Sequence, residues 1–146
     1  KTYGDWQAHY DVPVDVELNA QHELDMEAEF GQTIITNFPE LTSPFWNMAR
    51  NADGDTAKKM DVILGGMETI GSAERSCDVD MMRDTFHSIV DGEYSKLLFE
   101  LFGKDRVEAE LEEFLKFDFF QRVGGGIGMT RMIAALDKQG KFALAA

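Results

Sequence analysis

Apolar positions change period along the chain, and each change marks an element. Tyr3, Trp6 and Tyr10 recur at three- and four-residue spacing, which predicts a short amphipathic helix over 2–10 that Pro13 stops. Asp11–Leu18 is acidic and valine-rich, a connection or a short edge strand. Asn19 caps a predicted helix running to about Phe30, with Leu24 and Met26 or Glu27 on its inner side and Gly31 at its close. Gln32–Asn37 is β-branched in its middle and reads as a buried strand that Phe38-Pro39 ends. Pro44–Arg50 is predicted as a second strand and Asn51–Asp55 as a polar turn. In Lys59–Arg75, KMDVILGGMETIGSAER, Met60, Val62 and Leu64 alternate with Asp61 and Ile63, and Gly65-Gly66 is a two-residue hairpin signal. The first half thus supplies about four strands of a mostly antiparallel sheet.

After Arg75 the period becomes helical. Asp78 caps a predicted helix from Val79 to about Val90, striped by Met82, Phe86 and Ile89, which Asp91-Gly92 breaks. Glu93–Phe102 carries Leu97, Leu98 and Leu101 and ends at Gly103. Asp105 caps a third helix, Arg106–Lys116, with Val107, Leu111, Phe114 and Leu115 inward. Phe117–Val123 reads as a strand running into the glycine-rich Gly124–Gly128, and a helix follows from about Met129 to Asp137. Phe142–Ala146 is expected to be a frayed helix end. Antiparallel strands flanked by helices make an α+β domain.

The 146 residues suffice for one domain with a core, and 44% hydrophobic with 28% charged content is that of a globular chain. A net charge of −13 argues against nonspecific binding to nucleic acid or to an acidic membrane surface. Cys77 is the one cysteine, which excludes an intrachain disulfide and a thiolate zinc cluster. No signal peptide or membrane-spanning apolar run is present, so a reducing, cytoplasmic setting is expected. The chain begins at Lys1 without methionine and enters helical sequence at once, as a piece of a longer or a processed polypeptide would.

Two stretches carry candidate chemistry. A two-residue turn pairs Leu64 with Met67, Ile63 with Glu68 and Asp61 with Ile70. Asp61 and Glu68 then share a face on a diagonal of about 7–8 Å, a spacing at which two carboxylates can hold a divalent cation. The same spacing serves a plain surface hairpin whose charges stay in water. Arg75 follows on the strand, its fork suited to a carboxylate. Strict alternation leaves it opposite Glu68, and a bulge at Gly71-Ser72 is predicted to bring it round. In the second stretch, strand, GGGIGMTR and helix place glycines where backbone approaches a ligand, with Arg131 projecting from the helix's first turns. It is neither a P-loop nor a dinucleotide fingerprint, and a loop with one exposed arginine has the same pattern.

GGGIGMTRMI resembles the third signature motif of class II aminoacyl-tRNA synthetases. MDVILGGMETIGSAER resembles the aspartyl- and asparaginyl-tRNA synthetase segment that carries Asp, Glu seven residues on and Arg seven further, here Asp61, Glu68 and Arg75. IITNFPE followed by PFWNM is also similar to those families, and the order holds from about Tyr3 to Ile133. The resemblance implies a class II synthetase-like antiparallel sheet. It implies Asp61 and Glu68 as ligands of magnesium and ATP, Arg75 as the selector of the amino acid, and Arg131 as the catalytic nucleotide clamp, with Gly126 and Gly128 giving access. The implied reaction is activation of aspartate or asparagine as an aminoacyl-adenylate, with release of pyrophosphate.

Departures from the pattern qualify this. Gly71, Ser72, Ala73 and Glu74 replace a Gly/Ser-Gly-Ser/Gly-Gln stretch, setting a negative charge beside Arg75. The long Glu93–Lys116 insert and the FFQRVGGGIG approach, without Pro-Pro-His, look more like archaeal-type asparagine synthetases, which pass the adenylate to ammonia instead of tRNA. The strongly acidic surface leans the same way. Motifs one and two, which precede this region in the family, are not in the sequence. Residues 1–146 are therefore expected to be the C-terminal portion of a catalytic domain, impaired alone, and completed by the missing N-terminal half and by a homodimer partner. The competing reading is a synthetase-derived module that senses an amino acid or nucleotide without catalysis. His9, His22 and His87 are assigned no chemistry.

Overall fold

A computed structural model of the chain describes residues 1–52 and 54–141. The elements are α1 (Tyr3–His9), α2 (Ala20–Phe30), β1 (Thr33–Pro39), β2 (Thr56–Leu64), β3 (Met67–Arg75), α3 (Val79–Ser88), α4 (Glu93–Phe102), α5 (Lys104–Leu115), β4 (Arg122–Ile127) and α6 (Met129–Lys138). The strands form one antiparallel sheet in the order β1-β2-β3-β4. Three helices are inserted between its last two strands.

Local chemistry starts these elements. The Thr2 side chain accepts from Asp5 N–H while Asp5 bonds back to Thr2 N–H, which closes α1's first turn. Asn19 Oδ1 accepts from the amides of Gln21 and His22 to start α2, and Asp78 accepts from Met81 N–H at 2.9 Å to start α3. Gly65 and Gly66 have φ of 64° and 81°, the left-handed pair that a tight hairpin turn needs. A Cβ on Gly66 would lie 2.6 Å from Leu24 Cδ2, and one on Gly65 would lie 3.1 Å from Ala135 Cα. The hairpin tip is thus wedged between α2 and α6.

Two apolar cores result. Tyr3, Trp6 and Met26 from α1 and α2 pack on Ile35, Phe38 and Ile63 of the sheet. Trp46 joins Met82, Phe86, Val107, Leu111 and Leu115 in the helical insert.

The structure corrects several expectations. The alternation on β2 resolves with Ala57, Asp61 and Ile63 on the buried side, because α1 and α2 cover that face, and Met60 on the other side is 37% exposed. The bulge lies at Thr69, not at Gly71-Ser72, so Asp61 stands opposite Gly71 and not Ile70. Buried Thr69 turns its hydroxyl onto the carbonyls of Met67 and Leu64, leaving the ladder there. Pro44–Arg50 is not a strand of the sheet and pairs with it through isolated bridges, Met48 to Arg75 and Arg50 to Ala57, because Trp46 is drawn into the second core. Among the described residues the first half therefore supplies three strands, and Asp11–Leu18 is a connection. The fourth strand starts at Arg122, since β3 offers pairing only as far as Arg75 and Phe119 packs instead on Phe114. α3 stops at Ser88, where left-handed Val90 and Asp91 break the helix, and α5 starts at Lys104, with Asp105 inside its first turn and not capping it. Leu97 and Leu101 are more than half exposed, and Leu24 faces the hairpin tip at Gly66 while staying 45% exposed. Asp53 of the expected turn and the expected helix end Phe142–Ala146 lie outside the described residues.

Candidate functional site

The Thr69 bulge decides which side chains meet. It removes one residue from the alternation, so Glu68 and Gly71 share a face, and Arg75, four residues further on, shares it too. Gly71 opposes Asp61 on one side and Gly126 on the other. Asp61, Glu68, Gly126 and Arg75 therefore lie on one face of the sheet, as a bulge was expected to arrange from a different position.

Two carboxylates converge over Gly71. A Cβ there would meet Glu68 Oε1 at 2.8 Å and Asp61 Oδ1 at 3.3 Å, so both oxygens border a space that only a missing side chain leaves. Asp61 is 4% exposed and its Oδ1 has no hydrogen-bond partner. Its Oδ2 accepts from Lys59 Nζ, which also sits 3.7 Å from the centre of the Phe38 ring. Burial pushes the Asp61 carboxyl up from 3.8 to about 6, opposed by the Lys59 hydrogen bond and charge and reinforced by Glu68 and Glu23. An orphaned buried carboxylate oxygen facing a second carboxylate across a vacant Cβ position fits a hard divalent cation, with the remaining ligands from water or phosphate. Among the described residues no group of three His, Cys, Asp or Glu side chains converges as a metal cage.

Glu23, on α2, belongs to the same cluster. Its Oε2 accepts from Glu68 N–H at 2.9 Å, pinning the start of β3 to α2, and burial raises its carboxyl above the usual range, with that N–H acting to lower it. A cavity of about 180 Å³ opens beside Glu23, Lys59, Asp61, Ile63 and Glu68. A second, of about 370 Å³, continues past Glu23 and Glu68 to Arg131. Arg131 donates to the Glu68 carbonyl at 2.7 Å, and its guanidinium lies 3.9 Å from Glu68 Oε2. Gly128 packs beside it, where a Cβ would lie in ordinary contact with Arg131 carbons at 3.4–3.6 Å. Gly126 has nothing within 4 Å of its Cβ position and leaves open floor. Gly125 differs, since a Cβ would strike the Gly71 carbonyl at 2.6 Å; strand packing requires that glycine.

Arg75 is further along the face. Its guanidinium donates to Asn47 Oδ1 at 3.1 Å and passes over Gly124, whose Cβ would lie 3.5 Å from Nε. It borders a separate cavity of about 340 Å³ with Arg50, Ser76 and Gln121. So the fold brings Asp61, Glu68 and Arg131 together and sets Arg75 at the far end of their row. Glu74 pairs with Val123 on the opposite face, where both its oxygens are 3.1 Å from Lys58 Nζ; that hydrogen bond holds its carboxyl below the usual range. The Glu74 charge is thus paired with Lys58, while Glu74 and Arg75 both line the cavity of about 340 Å³. The histidines stay outside the cluster: His9 meets Glu29, His22 caps α2 and His87 faces Glu108.

Sequence reading missed Glu23 and Lys59. Lys59 was recoverable, since a residue two before Asp61 on a strand shares its face. Glu23 was not, because only the tertiary docking of α2 on the hairpin places it there.

The sheet and its helices have the fold of class II synthetase catalytic domains. An asparaginyl-tRNA synthetase from Pyrococcus horikoshii superposes with a TM-score of 0.69 at 19% identity, covering 94% of this chain and 32% of that one. An aspartyl tRNA synthetase from Entamoeba histolytica gives 0.68 at 18% identity, covering 92% and 28%. The family model for tRNA synthetases class II (D, K and N) matches residues 8–142, and the chain belongs to that family. An asparagine–tRNA ligase from Treponema denticola is 37% identical over 70 residues, 46% of this chain and 15% of the ligase. One from Cytophaga hutchinsonii is 32% identical over 78 residues, 51% of this chain and 17% of that ligase. The chain thus spans about a third or less of these solved synthetases, and its matches cover a smaller part of the curated ligases. Among the described residues no helix is long and apolar enough to cross a membrane.

Proposed function

We propose that this chain forms the C-terminal portion of a catalytic domain that activates aspartate or asparagine with ATP as an aminoacyl-adenylate. The observation that carries the reading is the convergence of Asp61 Oδ1 and Glu68 Oε1 over Gly71, on the face that also bears Arg75, with Arg131 against Glu68. Asp61 and Glu68 would hold magnesium, which when bound supplies charge neutralisation to the polyphosphate. Arg131 lies against Glu68 and lines the open cavity beside it, where its planar guanidinium can stack on a nucleotide and offset phosphate charge. Arg75 can present two parallel donors to the side chain of the amino acid. In the step itself a substrate carboxylate oxygen forms a bond to the α-phosphorus, the bond from that phosphorus to the bridging oxygen breaks, and pyrophosphate leaves with the electron pair. The attacking carboxylate is already ionised, so no side-chain base is needed, and positioning with fixed charge supplies the catalysis. The matched asparagine–tRNA ligases favour tRNA over ammonia as the acceptor.

The test is ATP–pyrophosphate exchange on the longest native form, with aspartate, asparagine and lysine compared. Exchange with aspartate or asparagine, lost in Arg75→Ala, is the expected result. Absence of exchange with any amino acid, while ATP still binds, would replace this reading with a nucleotide-sensing module.

A further inference from the structure

Asp61 divides its two oxygens between unlike partners. Oδ1 is buried, unpartnered and turned toward Glu68 over Gly71, while Oδ2 is held by the Lys59 ammonium. Lys59 reaches Asp61 because the two are alternate residues of β2 and share a face, and the Phe38 ring 3.7 Å beneath the ammonium fixes its position. The Lys59 side chain is 23% exposed, so its flexible stem has a way out toward water.

We propose that Lys59 is a tethered cation that occupies the Asp61 side of the metal position and must swing aside when a divalent ion binds, so that it sets the affinity of the site for that ion. The inference rests on the reading that Asp61 and Glu68 hold the metal. Two positive charges cannot share one carboxylate without mutual repulsion, and the ammonium keeps a divalent ion from engaging both Asp61 oxygens. In the ion's absence the same ammonium balances a carboxylate that would otherwise be buried with no counter-charge. Arg131 cannot take this part, since its guanidinium lies on the Glu68 side and donates to the Glu68 carbonyl.

The experiment titrates Mn2+ alone, by electron paramagnetic resonance of the free ion, into the longest native form and into Lys59→Met, Lys59→Arg and Asp61→Asn. Lys59→Met keeps the apolar stem over Phe38 and removes the charge; it is expected to bind Mn2+ at least about tenfold more tightly. Lys59→Gln carries the same expectation should the methionine variant fail to fold. Lys59→Arg retains wild-type affinity and Asp61→Asn loses binding. Equal affinity in wild type and Lys59→Met, still abolished by Asp61→Asn, would overturn the role of Lys59 and leave the metal site standing. Absence of Mn2+ binding in wild type and Lys59→Met alike would overturn both.

Discussion

Asp61→Asn separates the stability of this fold from its chemistry. Asp61 is buried, one of its oxygens has no partner, and its carboxyl is raised from 3.8 to about 6. A folded-state value above the unfolded one means that the native protein holds the proton more tightly. Below about pH 4 both states are protonated and Asp61 costs nothing. Between 3.8 and about 6 the unfolded chain releases its proton first, so wild-type stability falls as pH rises. Above that window the full penalty is in force, a rise of this size corresponding to about 3 kcal/mol. Asparagine never carries the charge. The value of about 6 already contains the favourable Lys59 ion pair, so its loss in the variant removes nothing further. The variant should therefore be up to about 3 kcal/mol more stable at pH 8, and the difference from wild type should close toward pH 4. Urea unfolding of both proteins at the two pH values measures this. A variant equal to or weaker than wild type at pH 8 would refute the argument that Asp61 is held charged against its environment.

Three further outcomes are expected. Gly71→Ala fills the space between the two carboxylates, 2.8 Å from Glu68 Oε1, at a position without positive φ; Mn2+ binding should fall by about tenfold or more, with stability unchanged or up to about 1 kcal/mol higher. Proton and ion compete for Asp61, so Mn2+ affinity should fall by about tenfold per pH unit below its value of about 6, a slope that isothermal titration at pH 5, 6 and 7 reads directly. Gly66→Ala adds a Cβ 2.6 Å from Leu24 at φ 81° and should cost about 2–4 kcal/mol in thermal unfolding.

What was legible in the sequence was local. Asn19, Asp78 and Gly65-Gly66 announce two helix starts and a turn because each meets a backbone demand within three residues of itself. The pairing of Asp61 with Glu68 was legible because a two-residue turn sets register, and Arg131 because a glycine run before a helix is a local signal. The burial of β2 was not. Its apolar residues alternate with Asp61, and only the docking of α1 and α2 makes the acidic side the inner one. The bulge was expected at the glycine-containing pair, where backbone freedom is greatest, but Thr69 takes it by bonding its hydroxyl to two carbonyls. No property of a threonine in a strand announces that.

The position of that bulge matters more than its existence. At Gly71-Ser72 it would bring Arg75 round but leave Asp61 opposite Ile70, and no vacant Cβ would stand between the carboxylates. At Thr69 it does both: Gly71 slides opposite Asp61, opening the space, and Arg75 comes onto the same face in the same step. A single inserted residue thus couples the position of the acidic pair to that of the arginine. The wedged hairpin tip then transmits that geometry to the helices, because Gly66 lies against Leu24 of α2, which also carries Glu23, and Gly65 lies against Ala135 of α6, which also carries Arg131. Carboxylates and guanidinium are therefore referenced to one turn of backbone. Displacing that turn would misplace Glu23, Glu68 and Arg131 together, whereas a change at Arg75 would leave them in register.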